Sequence, residues 1–250
     1  MALKINTKKI LLCLFATELA AEQGLELKEL RACVSTLSET GVRSLIVLLE
    51  KKKLLFKKRV FGKTTFLLTE QGREAVKVSF PAVNYLNDDW DGRWMGMTFL
   101  NAPKSDTNFR FLRELVLAER ALPLARGFYI KAGGFSEAVL SEVKARYLEN
   151  VALFWVDTWI VGLDRPLVYK YYDLNAVAES LSGISNQVDD LLTKIEPKKR
   201  LIERDKKNIY TAVDRLMGSL REDSRLLRHY FPEVPEALNI LSKVGRVLLL

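Results

Sequence analysis

Three short helical repeats of apolar residues run directly into two β-rich segments hinged at Gly62-Lys63. Few folds accept that order. Thr7 reads as the N-cap of a first amphipathic helix that reaches about Glu22, with Gly24 as its terminating glycine. A second helix over Glu26 to Leu37 repeats Leu27, Leu30 and Val34 on one face. Ser38 then opens a third, whose apolar positions are Val42, Leu45, Ile46 and Leu49. The β-rich runs Leu54 to Phe61 and Thr64 to Thr69 follow as a hairpin. Helix, helix, helix, hairpin predicts an N-terminal winged helix-turn-helix over 1–80.

Charge singles out the same segment. The chain of 250 residues carries a net charge of +8, and 15 basic against 8 acidic residues fall within Met1 to Phe80. A positive field confined to one module points to a polyanionic partner, and double-stranded DNA is the first expectation. The core stripe of the third helix leaves Thr40, Arg43, Ser44 and Val47 turned outward, where a recognition helix meets the major groove. From Lys51 to Lys63 stand seven basic residues (Lys51, Lys52, Lys53, Lys57, Lys58, Arg59 and Lys63) and no acidic one. Charge at a helix end and along a wing is what phosphate neutralisation requires. The expected DNA contacts are Thr40, Arg43, Ser44, Lys51, Lys57, Lys58, Arg59 and Lys63.

A second module begins after Asn87-Asp88-Asp89. Arg93 to Leu100 reads as a strand, Asp106 to Arg120 as a helix, Leu122 to Ala132 as a strand or tight pair, and Ser136 as the start of another helix. The apolar run Val151 to Val156, with Trp159 to Val161, closes the series as a strand. The order βαββαβ predicts a central ferredoxin-like domain over 88–173. Beyond it Leu174, Val177, Leu181, Ile184, Val188, Leu191 and Ile195 step alternately by three and four, a heptad seam that needs a partner. A following amphipathic helix carries Ile202, Ile209, Val213, Leu216 and Leu220, so the partner is either that helix or a second subunit. A C-terminal helical domain for dimerisation or effector binding is expected over 174–250, and the whole reads as an α+β chain.

The strings within these modules resemble the PaaX family of bacterial transcriptional repressors. They are the Leu45 to Gly72 region with its Leu67-Leu68-Thr69-Glu70-Gln71-Gly72 end, the Trp90-Asp91-Gly92-Arg93-Trp94 opening of the middle domain, and the Arg110 to Leu115 helix. The resemblance implies a homodimeric repressor that an aryl-CoA thioester releases from DNA. Trp90, Arg93 and Trp94 are candidates for the effector pocket, and Arg126 and Arg165 for its phosphates. The family's middle domain is also similar to a small ferredoxin-like nuclease of CRISPR spacer acquisition, which sets the alternative of a metal-dependent nuclease. That chemistry needs a carboxylate at the end of the first strand, and Asn101 stands there.

Other chemistry finds little support. Cys13 and Cys33 lie far apart in sequence and His229 is the one histidine, so zinc-ligand spacing cannot be built. No phosphate-binding loop, nucleophile elbow or metalloprotease string occurs, and neither catalysis nor a cofactor is expected. Lys4, Lys8 and Lys9 before Ile10 to Ala16 imitate an export signal, but Glu18 interrupts the apolar stretch and the spacing is helical. A cytoplasmic protein with no membrane partner is the expectation.

Overall fold

The computed structural model describes residues 3–60, 62–84, 90–100, 107–160, 164–195, 203–221 and 224–250. The protein is α+β, with one three-stranded and one four-stranded antiparallel sheet. Its residues divide into two compact units, one combining 1–87 with 175–250 and the other spanning 88–174.

In the first unit, helix α1 (Ile5–Ala21) departs most from its expected character. Ile10 to Thr17 are all buried, so the helix is enclosed on every side rather than amphipathic. That explains the apolar stretch that imitates an export signal. Thr7 lies buried inside the helix rather than capping it, and Glu22, in the left-handed conformation, ends it. Gly24 serves another purpose: a Cβ there would stand 2.2 Å from the Phe66 carbonyl oxygen, so glycine admits the two-residue strand β1 (Leu25–Glu26) to the sheet.

Helix α2 (Leu27–Cys33) is shorter than expected. Its start is fixed by a reciprocal box in which the Glu26 N–H donates to Glu29 Oε2 at 2.7 Å. Ser38 caps α3 (Glu39–Lys51) as expected, its Oγ accepting from the Gly41 N–H at 3.1 Å. Strands β2 (Leu55–Val60) and β3 (Lys63–Leu68) pair as a hairpin, with β1 on the far side of β3. The Leu67 to Gly72 string is not only a strand end. Thr69 caps a further helix, α4 (Glu70–Ser79), by accepting from the Gly72 N–H at 3.0 Å, and a short turn, α5 (Pro81–Asn84), follows.

The C-terminal helices of the chain complete this unit: α9 (Leu174–Ile195), α10 (Glu203–Ser219), α11 (Ser224–Tyr230) and α12 (Ala237–Leu248). They do not form a separate core. Leu181, Ile184, Val188, Leu191 and Ile195 of the heptad seam join Ile209, Val213 and Leu216 of α10, together with α1 and α12, in one buried cluster. The seam therefore finds its partner inside the chain. Gly245 of α12 crosses α1 so closely that a Cβ would lie 2.0 Å from the Ala16 carbonyl oxygen. Lys9, a buried cation on α1, pairs with Asp214 of α10 at 2.5 Å.

The second unit follows the expected βαββαβ order with β4 (Trp94–Phe99), α6 (Thr107–Ala118), β5 (Leu122–Ala125), β6 (Phe128–Ala132), α7 (Glu137–Arg146) and β7 (Val151–Val156), and adds a helix outside that order, α8 (Asp164–Tyr172). The sheet order is β5-β6-β4-β7, antiparallel throughout. Met97, Tyr129 and Val151 pack with Phe109, Leu112 and Val116 of α6 and Val139 and Val143 of α7. The last strand stops at Val156 without taking in Trp159 and Ile160 of the expected Trp159 to Val161 extension, and Val161 lies outside the described residues. Asn101 lies outside the described residues, and among the described residues no helix is long and apolar enough to cross a membrane.

Because Leu181 faces an internal helix pair, Leu181→Ala should cost about 2–5 kcal/mol of stability in urea unfolding without altering the mass seen by light scattering. Gly245→Ala should cost about 1–3 kcal/mol through overpacking against α1.

Candidate functional site

Val42, Ile46 and Leu49 fix α3 to the core, and this leaves Thr40, Arg43 and Ser44 exposed together on its outer face. The same face continues through Val47 and Leu48, 50% and 46% exposed, to Lys51. All eight residues expected at a DNA surface are exposed.

The hairpin leaves the core within a few residues. Leu55 and Leu68 are buried opposite one another at its base, whereas Phe56, Lys57, Lys58 and Arg59 are all exposed, as are Lys63 and Thr64 across the ladder. A strand packed on one side alternates between buried and exposed positions; over Phe56 to Arg59 of β2 the alternation stops, so both faces of that strand meet solvent there. Four cations are carried on this projecting ribbon.

Folding also brings in carboxylates that the local sequence does not contain. Glu26 pairs with Lys63 at 3.1 Å and stands 3.6 Å from Lys28, while Glu50 stands 4.0 Å from Lys57. The hydrogen bond from Lys63 is the chief cause holding the Glu26 carboxyl below its ordinary range. On α3, Glu39 Oε1 accepts from Arg43 at 2.9 Å and Oε2 accepts from Arg31 of α2 at 2.9 Å. Arg43 is the first cause lowering the Glu39 carboxyl. Lys51, Lys58 and Arg59 make no ion pair among the described residues. The Glu39–Arg43 spacing of four is visible in the sequence; the Arg31 and Glu26 contacts depend on packing between elements.

The expected effector residues are only partly brought together. Trp90 packs edge-on to Trp94, with centroids 5.1 Å apart, and donates to the Arg93 carbonyl at 2.6 Å. Arg93 pairs with Asp91 and lies 5.2 Å from the Trp155 ring. Trp94 is buried and its Nε1 has no hydrogen-bond acceptor among the described residues. Arg126 is exposed in the turn before β6, whereas Trp94 pairs with Ala132 at the other end of that strand. Arg165 is on α8, donating to the Tyr169 hydroxyl at 2.6 Å. Neither arginine joins the tryptophan cluster among the contacts of the described residues.

Cys13 and Cys33 are buried free thiols, and burial pushes the Cys33 thiol well above its ordinary range, which disfavours a reactive thiolate. Among the described residues no group of three or more His, Cys, Asp and Glu could hold a metal ion.

Among solved structures, the chain is similar to the uncharacterized protein Rv0674 from Mycobacterium tuberculosis. The two are 13% identical with a TM-score of 0.52, over 94% of this chain and 92% of that one, a likeness of fold alone. No family model and no curated protein matches the sequence.

The Glu39 carboxyl should titrate below its ordinary range by carbon-13 NMR and move back toward that range in Arg43→Ala. Because its folded value is depressed, the pairing is in force at neutral pH and is lost as pH falls through the carboxylate range.

Proposed function

We propose that the protein is a double-stranded DNA-binding transcriptional regulator, with α3 as the recognition helix and the β2–β3 hairpin as the wing of a winged helix-turn-helix. The observation that carries this reading is the hairpin whose strand β2 is exposed on both faces over Phe56 to Arg59 and which presents Lys57, Lys58, Arg59 and Lys63 to solvent. A ribbon anchored at its base by Leu55, Phe66 and Leu68 and concentrating exposed cations farther out suits the track of a phosphate backbone. The outward face of α3, polar at Thr40, Arg43 and Ser44 and apolar at Val47, offers donors and a hydrocarbon surface of the kind that reads base edges and thymine methyls.

The second unit, in this reading, is a ferredoxin-like domain that serves regulation rather than catalysis. The sheet order β5-β6-β4-β7 with two helices on one face supports that assignment. Repression by a homodimer on paired half-sites, relieved by an acyl-CoA thioester, is the part of the proposal that rests on the resemblance to the PaaX family. For the effector, the Trp90, Arg93 and Trp94 cluster is the place to look, since among the described residues the buried Trp94 indole N–H has no acceptor, and a ligand would supply one.

The test is the salt dependence of duplex binding. Lys58→Ala, Arg59→Ala and Lys63→Ala together should weaken binding and reduce the slope of log affinity against log salt by up to about 2.7, if each contacts one phosphate. An unchanged slope removes the wing from the DNA backbone. Arg43→Ala should reduce discrimination between sequences by about 1–3 kcal/mol while leaving more of the salt slope intact.

A further inference from the structure

Glu39 is out of place on a DNA-facing helix, because a carboxylate there repels every phosphate that approaches. Yet its side chain is the most connected on that face: one oxygen is held by Arg43, the other by Arg31, each at 2.9 Å. The two arginines come from different helices, α3 and α2, so the carboxylate is gripped from both sides and its plane is fixed. On a helix, a side chain four positions on leans back toward the N-terminus, and the bond to Glu39 draws the Arg43 guanidinium over the first turn of α3. In a helix-turn-helix that first turn is the part that enters the major groove.

Resting on the DNA-binding reading above, we propose that Glu39 is a specificity-determining positioning residue: it aims Arg43 at a base edge and penalises duplexes that Arg43 does not recognise. An unrestrained arginine on this exposed face samples many rotamers and salt-bridges to any nearby phosphate. Held by Glu39, it has fewer orientations to lose on docking, and those it keeps point along the groove-facing end of the helix. The negative charge works in the same direction. Any duplex brought against α3 meets Glu39, and only one that offers Arg43 a matched acceptor pair compensates for that repulsion. Arg31 completes the arrangement by occupying the second oxygen, which prevents the carboxylate from swinging away with Arg43.

The experiment starts from a duplex that the wild-type protein selects out of a random-sequence pool, and compares its affinity with that of an unrelated duplex of equal length. Glu39→Gln should bind the unrelated duplex several-fold more tightly, and the ratio between the two affinities should fall at least about fivefold, the lower end of what a bidentate base contact contributes. Glu39→Asp keeps the charge but is too short to hold both arginines. It should leave the unrelated affinity near the wild-type value and still reduce the ratio. In an Arg43→Ala background, Glu39→Gln should leave the ratio unchanged while still raising affinity for any DNA.

A ratio preserved in both Glu39 variants overturns the proposal. So does a parallel loss of affinity for both duplexes, which would assign Glu39 a merely structural part. Thermal melts followed by circular dichroism confirm that each variant is folded, and Glu39→Asp retains the acidic first turn if Glu39→Gln does not fold. A wild-type protein that selects no duplex at all defeats the DNA-binding reading itself, and that failure is seen before any variant is made.

Discussion

The enclosure of α1 is the constraint on which the first unit depends. A helix with one apolar face can sit at the edge of a domain, but eight successive buried positions, Ile10 to Thr17, need neighbours all round. The hairpin sheet, α2 and α4 supply some of them, and α10 and α12 supply the rest. Fully burying each large aliphatic side chain contributes about 1.5–3 kcal/mol, so losing the C-terminal helices would expose a large share of the unit's stabilising surface. The close crossing at Gly245 and Ala16 brings backbone to backbone, which adds dispersion contacts that larger side chains would prevent. Lys9 survives inside this packing because Asp214, itself more open to solvent, supplies the compensating charge.

How much of this was legible depended on the range of the forces involved. Ser38 before a periodic apolar run marked α3 correctly, since capping and periodicity act within a turn or two. The βαββαβ order was also local, each strand and helix carrying its own pattern. Strand β1 was not readable, for two residues cannot display alternation and their pairing depends on Gly24 passing close to Phe66. Helix α4 was hidden because Thr69 both follows the strand and caps the helix, so one string serves two elements. The heptad seam announced a partner without saying whose, and only the shared core with α10 answers that.

The candidate surface divides in the same way. Exposure of Thr40, Arg43, Ser44 and the hairpin cations followed from periodicity and charge, and all are exposed. Their carboxylate neighbours did not follow. Glu26 and Glu50 stand outside the basic run in sequence, yet turn geometry and strand pairing return them to it, and the surface is consequently a patterned field rather than a uniform one. Such exposed pairs add little stability but decide where individual cations point, which matters more for recognition than for folding. In the second unit Trp90 and Trp94 pack together, whereas Arg126 lies before β6, away from the strand end where Trp94 pairs, and Arg165 stands on α8, because choosing an arginine near an expected strand end says nothing about which end of the sheet, or which element, it occupies.

The meeting of α1 with α12 has a consequence for how the chain is made. During synthesis α1 emerges well before α12, the helix that closes over it, so this unit cannot complete its core until α12 has left the ribosome. The intervening unit spans 88–174 and carries its own hydrophobic cluster, so it is free to fold in the meantime. Contacts between segments so distant in sequence fold slowly, and until they form α1 presents an apolar surface to the cell. A chain that stops short of α12 leaves α1 uncovered, which couples the presence of α12 to completion of the core on which α3 and the β2–β3 hairpin are mounted.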